Sequence, residues 1–152
     1  MEVDQSTALE VLKRKILGNY IAEFSVGNVW SLRLNDGNRI IAQEIHADEE
    51  LKFTNWFRDN YPLYQTIVDK GYIAQCAIVA ANMQKLITDI KLNDDNSLTI
   101  EFEHGGRLIL PSTVDIVDWQ WALNEHGGDP YVDFIVGCFG KDDLEVNPEK
   151  QK

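Results

Sequence analysis

Residues 17–45, LGNYIAEFSVGNVWSLRLNDGNRIIAQEI, decide how this chain is read. Ile21, Phe24 and Val26 begin an apolar pattern. Trp30, Leu32 and Leu34 then alternate with Ser31 and Arg33. A period of two marks a strand with one face buried. Asn35-Asp36-Gly37-Asn38 follows, and Asp-Gly between alternating strands predicts a tight hairpin turn of type I′, which needs positive φ twice. Arg39-Ile40-Ile41-Ala42 reads as the returning strand.

The same phrase recurs at residues 83–111, MQKLITDIKLNDDNSLTIEFEHGGRLILP. Leu86, Ile87, Ile90 and Leu92 open it. Leu98, Ile100 and Phe102 alternate with Thr99 and Glu101, His104-Gly105-Gly106 supplies the turn, and Arg107-Leu108-Ile109-Leu110 returns. Trp30, Leu32, Leu34 and Gly37 fall on Leu98, Ile100, Phe102 and Gly105. Ile21 falls on Ile87, so the second copy holds an insertion at Asp94-Asp95. The likeness extends to a polar segment ending in tryptophan (HADEELKFTNWFRDN, then STVDIVDWQWALNEHGG) and to a closing apolar stretch read as a strand, GYIAQCAIVA at 71–80 and DPYVDFIVGCF at 129–139.

The expected fold is therefore α+β: two tandem antiparallel β-meander units, an internal duplication, forming a twisted sheet or half-open sandwich with helices packed on it. A single domain is expected over 1–152, with an N-terminal helix at 6–17, unit one at about 18–82, unit two at about 83–144 and a polar, disordered tail at 145–152. Ser6 or Thr7 is placed to cap the first helix and Gly18 to stop it, with Leu9, Leu12, Ile16 and Leu17 facing the sheet. ADEELKFTNWFRDN and LYQTIVDK are further helix candidates.

Composition narrows the partners. The formal net charge is −11. Nucleic-acid binding depends on Lys and Arg neutralising phosphates, and anionic membranes repel an acidic surface, so neither partner is expected. No apolar run approaches the roughly 18 residues of a membrane-spanning helix. MEVDQSTALEV is too acidic and polar for a secretion signal, and the expected location is the cytoplasm. The charge is uneven. Residues 1–82 carry 11 acids against 8 bases, and residues 83–152 carry 14 against 6.

Candidate chemistry is sparse. EHGG occurs twice, at Glu103–Gly106 and Glu125–Gly128, and a glycine-flanked His could ligate metal. The first copy is a hairpin turn, the second a loop after the Trp segment, and no helical H-x-x-x-H or C-x-x-C spacing accompanies either, so His104 and His126 are expected to bind no metal, and no cofactor is expected. No G-x-S-x-G elbow, P-loop or G-x-G-x-x-G is present, so no catalytic residue is assigned. Cys76 and Cys138 sit in apolar runs and read as small buried hydrophobes. Asp89 to Asp133 holds ten carboxylates and two bases. Loop acids can bind a basic partner or be plain solvated surface. The partner-facing candidates are Asp94, Asp95, Asp115, Asp118, Glu125 and Asp129, with Trp121 as an aromatic anchor or a core residue.

The doubled motif, an alternating apolar strand with a Gly turn, a return and a Trp segment over residues 16–123, resembles bacterial immunity proteins of polymorphic toxin and contact-dependent growth inhibition systems. The resemblance implies a non-catalytic cytoplasmic protein that binds and neutralises one cognate toxin domain, a basic nuclease-like one given this acidity. Two other classes stay open on the residues alone: a small-molecule-binding or enzymatic α+β domain with an unrecognised site, and a homodimeric structural adaptor.

Overall fold

A computed structural model describes residues 2–150. The two phrases fold as expected. Ile21–Val26 (β1), Trp30–Leu34 (β2) and Arg39–Ala42 (β3) form one antiparallel meander, and Ile87–Leu92 (β4), Leu98–Phe102 (β5) and Arg107–Leu110 (β6) form the other. The repeat holds residue by residue. Ile21 pairs with Leu34, Val26 with Trp30 and Leu32 with Ile40. Their counterparts Ile87 with Phe102, Leu92 with Leu98 and Ile100 with Leu108 pair likewise. Even the bulge is duplicated, between Ile21 and Glu23 and between Ile87 and Asp89. A bulge leaves one residue unpaired and bends its strand, so both first strands curve at the same point.

The hairpin turns differ in detail. Gly37 alone takes a positive φ (+92°) in the first, with Gly37 N–H donating to the Leu34 carbonyl. That is a longer loop with one left-handed glycine, not the type I′ turn expected, because Asn35, Asp36 and Asn38 all keep negative φ. The second turn uses His104, Gly105 and Gly106, all at positive φ. His126 in the second EHGG is also left-handed (φ +61°). Both copies are therefore turns. His is among the few non-glycine residues enriched in that conformation.

After the meanders the two halves diverge. Unit one continues into helix Glu50–Asn60 (α2), a 3₁₀ turn at Tyr64–Thr66 and helix Ile73–Asn82 (α3). GYIAQCAIVA is thus a helix and not the strand expected. The helix is rich in alanine, at 74, 77, 80 and 81, which favours that conformation. LYQTIVDK yields only the 3₁₀ turn. In unit two the Trp segment yields strand Trp121–Asn124 (β7), followed by Phe134–Gly140 (β8) and Asp143–Val146 (β9). The tail is therefore ordered through β9 and a 3₁₀ turn at Pro148–Lys150, while residues 151–152 lie outside the described residues.

The strand β7 does not extend its own meander. It pairs with β3, and the larger sheet runs β1-β2-β3-β7-β8-β9 beside the smaller β4-β5-β6. Backbone bonds stitch the two sheets together at both ends. Gly18 N–H donates to Ile87 O (2.9 Å) and Ile87 N–H to Asn19 O (2.8 Å). His46 and Ile109 exchange both of theirs at 2.9 and 2.8 Å. One core fills the space between, with Trp30, Leu32, Leu34, Ile40, Ile90, Ile100, Leu110, Trp121 and Val136 all buried.

The N-terminal helix, Gln5–Ile16 (α1), packs on β4, β8 and β9. Asp4, not Ser6 or Thr7, caps it by accepting from Thr7 N–H at 2.9 Å. Gly18 does end it, at φ +80°. Leu12 and Ile16 are buried and Leu9 is half-buried, but Leu17 points to solvent.

Candidate partner-binding surface

The long loop from Pro111 to Gln120 leads into β7, and its neck is fastened from both sides. Gln120, buried, uses its side-chain amide as a surrogate strand: its Oε1 accepts from Val114 N–H (2.9 Å) and its Nε2 donates to Val114 O (3.1 Å). Buried Ser112 donates its hydroxyl to the Asp95 carbonyl. With the neck closed by these bonds, the tip Asp115–Asp118 projects. Ile116 stands at that tip, fully exposed, with φ +62°. A β-branched residue in the left-handed region costs of order 1–3 kcal/mol and persists only where its surroundings impose it.

A second loop, Glu125–Asp133, joins β7 to β8 beside it. Glu125 N–H donates to the Asp133 carbonyl (2.8 Å). The Asp133 carboxylate accepts from Asp129 N–H (3.2 Å), and Asp129 accepts from Tyr131 N–H (2.8 Å). The Asp133 carboxylate lies where a Cβ on Gly127 would stand, so a side chain there would displace Asp133. Tyr131 unites the loops. Hydrogen bonding with Asp118, burial and the charges of Asp118 and Asp129 push its phenol pKa up to about 12. Its ring stacks on Phe139 at 5.9 Å, and Phe139 meets Phe134 edge-on at 5.7 Å. Tyr131 and Val132 remain exposed.

The expected site residues separate into three groups. Asp118 and Asp129 come together around Tyr131, and Asp115 lies in the same projecting tip as Asp118. Glu125 opens the neighbouring loop and accepts from Lys150 Nζ at 3.4 Å. Asp94 and Asp95 lie in the β4–β5 turn. Asp95 is a turn-maker there: its carboxylate accepts from Ser97 N–H (2.9 Å), and hydrogen bonding by Ser97 lowers its pKa. Trp121 is the correction. It is wholly buried, and its Nε1 donates to the Asn96 carbonyl at 2.9 Å, so it is core and offers no anchor. As the first residue of a strand buried along its whole length, it has no route to the surface.

Sequence reasoning passed over Ile116, Tyr131 and Val132. Each is an apolar residue set directly among acids, in VDIVD and DPYVD, and that setting is the signal that marks them.

Elsewhere, His46 is held between two carboxylates, Nε2 at 2.7 Å from Glu44 and Nδ1 at 3.1 Å from Glu50. Three shallow cavities on the described surface have volumes of about 240 to 370 Å³. Among the described residues no group of three or more His, Cys, Asp or Glu side chains could hold a metal ion, and no helix is long and apolar enough to cross a membrane.

Fold and surface together define a class: an α+β protein on a duplicated meander, presenting an acidic and apolar loop pair from a rigid sheet. Comparison with known protein families, with curated proteins and with solved structures gives no match.

Proposed function

We propose that this is a non-catalytic, cytoplasmic immunity-type protein that binds a basic, nuclease-like toxin domain and neutralises it. The observation that carries the reading is the grouping of loop carboxylates about Tyr131, whose N–H donates to Asp129, next to exposed Ile116 and Val132. Carboxylates around an exposed apolar centre are what a basic groove accepts: the charge speeds encounter, and the desolvated centre supplies affinity. Tyr131 takes the anchoring role expected of Trp121. Its ring is already stacked on Phe139, so little side-chain freedom is lost on binding. The strain at Ile116 supports the same surface, since strained residues collect at functional sites.

The test begins with recovery of the partner from the native host by pull-down. Asp115, Asp118 and Asp129 are then reversed together to lysine, with folding checked by circular dichroism. The association rate falls and loses its salt dependence if this surface meets the toxin. A folded triple variant with an unchanged rate and salt dependence refutes the assignment.

A further inference from the structure

The helix α2 has no buried residue along its whole length. Its aromatic side chains form a ladder: Phe53 stacks on Phe57 at 6.0 Å, Phe57 on the exposed Tyr61 at 5.0 Å, Tyr64 meets Phe57 edge-on at 5.8 Å, and Trp56 tilts against Phe53 at 6.2 Å. Leu51, Lys52, Trp56 and Asp59 are all exposed. At 100° per residue they span an arc of roughly 140°. Leu63 and Val68 continue the exposed apolar surface beyond the helix. Exposed large apolar side chains gathered on one segment mark a candidate interaction face.

The charge on the helix indicates what covers that face. The chain carries −11, yet α2 balances Glu50 and Asp59 against Lys52 and Arg58. Two copies of so acidic a molecule repel each other over most of their surface, and α2 is a neutral place to meet. The order of its charges is also self-complementary. Lys52 and Asp59 are equidistant from the midpoint between Asn55 and Trp56. In an antiparallel pair with its two-fold axis at that midpoint, Lys52 of each copy faces Asp59 of the other. The two Trp56 rings meet beside the axis, and the helix dipoles oppose. Asp59 already touches Arg58 at 3.2 Å, an exposed pair that is readily shared. We propose that this face is a homodimer interface, two α2 helices packed antiparallel about Trp56. No residue of it belongs to the Asp115–Val132 surface.

Sedimentation velocity of the full chain over a concentration series tests this. A reversible monomer–dimer equilibrium is expected, weakened about tenfold or more by Trp56→Ser, as for an aromatic at the centre of an interface. Lys52→Glu and Asp59→Lys each place like charges across the axis, so each alone sediments as a monomer. An equimolar mixture of the two restores opposite charges at both contacts and restores the dimer. A wild-type chain that is monomeric throughout overturns the proposal. So does a dimer indifferent to Trp56→Ser, or single charge variants that the mixture does not rescue. Circular dichroism of each exposed-site variant confirms that the monomer is folded.

Discussion

Replacing Trp121 by Phe tests the core assignment directly. The indole is fully buried at the start of β7, and its N–H is bonded to the Asn96 carbonyl at 2.9 Å. Phenylalanine fills most of the same volume but lacks about three ring atoms and the donor. The lost apolar burial costs about 2 kcal/mol at roughly 0.8 kcal/mol per carbon. The stranded carbonyl adds about 1 kcal/mol or more, because a buried acceptor without a partner keeps its desolvation cost. The sum is about 3 kcal/mol. For a chain of this size that lowers the melting temperature by about 6–12 °C. Urea unfolding followed by far-ultraviolet circular dichroism avoids the confounding change in tryptophan emission. The expected result is a lower midpoint at unchanged slope. A loss below about 1 kcal/mol refutes the reasoning, since surface substitutions fall within about that range.

Two further outcomes follow from the same geometry. Burial of the His46 ring works against its charge, but the hydrogen bonds it donates to Glu44 and Glu50, with their negative charge, outweigh burial and hold its pKa above the ordinary value. The folded-state pKa is raised, so its stabilising effect is complete below about pH 6.5 and is lost as the pH rises through the folded pKa; His46→Gln flattens that part of the stability–pH curve, and an NMR titration placing His46 at or below its ordinary value contradicts the clamp. Ile116→Gly removes the left-handed strain and raises stability by about 0.5–1 kcal/mol after the entropy of glycine is counted, while weakening partner binding; a loss of stability on urea unfolding shows that Ile116 is not strained.

The meanders were legible because alternation, turn residues and their repetition all agreed, once the inserted Asp94-Asp95 is allowed for. The repeat was carried too far because apolar runs of similar length hide their period. GYIAQCAIVA and DPYVDFIVGCF look alike by hydropathy, and only alanine content on one side, with aromatic residues and Gly137 on the other, separates helix from strand. The strand β9 was missed because Leu144 and Val146 are only two apolar positions in a polar segment, and their burial comes from pairing with β8. The proposed partner surface was half visible. Its acids could be named from the loops, but the joining of Asp118 to Tyr131 depends on two loops that only the tertiary fold brings side by side. Trp121 could not be placed from spacing alone, since a Trp-x-Trp pair in a strand sends both rings to one face, and here Trp121 is buried while Trp119 lies before the strand.

The pairing of β3 with β7 has a consequence for the protein's synthesis. The outer edge of Arg39–Ala42 finds its mate in Trp121–Asn124, so the first meander leaves the ribosome with an open apolar edge. That edge waits for roughly 80 further residues, about 4–16 s at ordinary elongation rates. An unpaired strand edge recruits whatever extended chain is near it. The duplicated halves are therefore not two spare copies of one module. The earlier half depends on the later one for its closure, and a chain terminated before β7 is expected to aggregate or to be held by a chaperone instead of folding as half a protein.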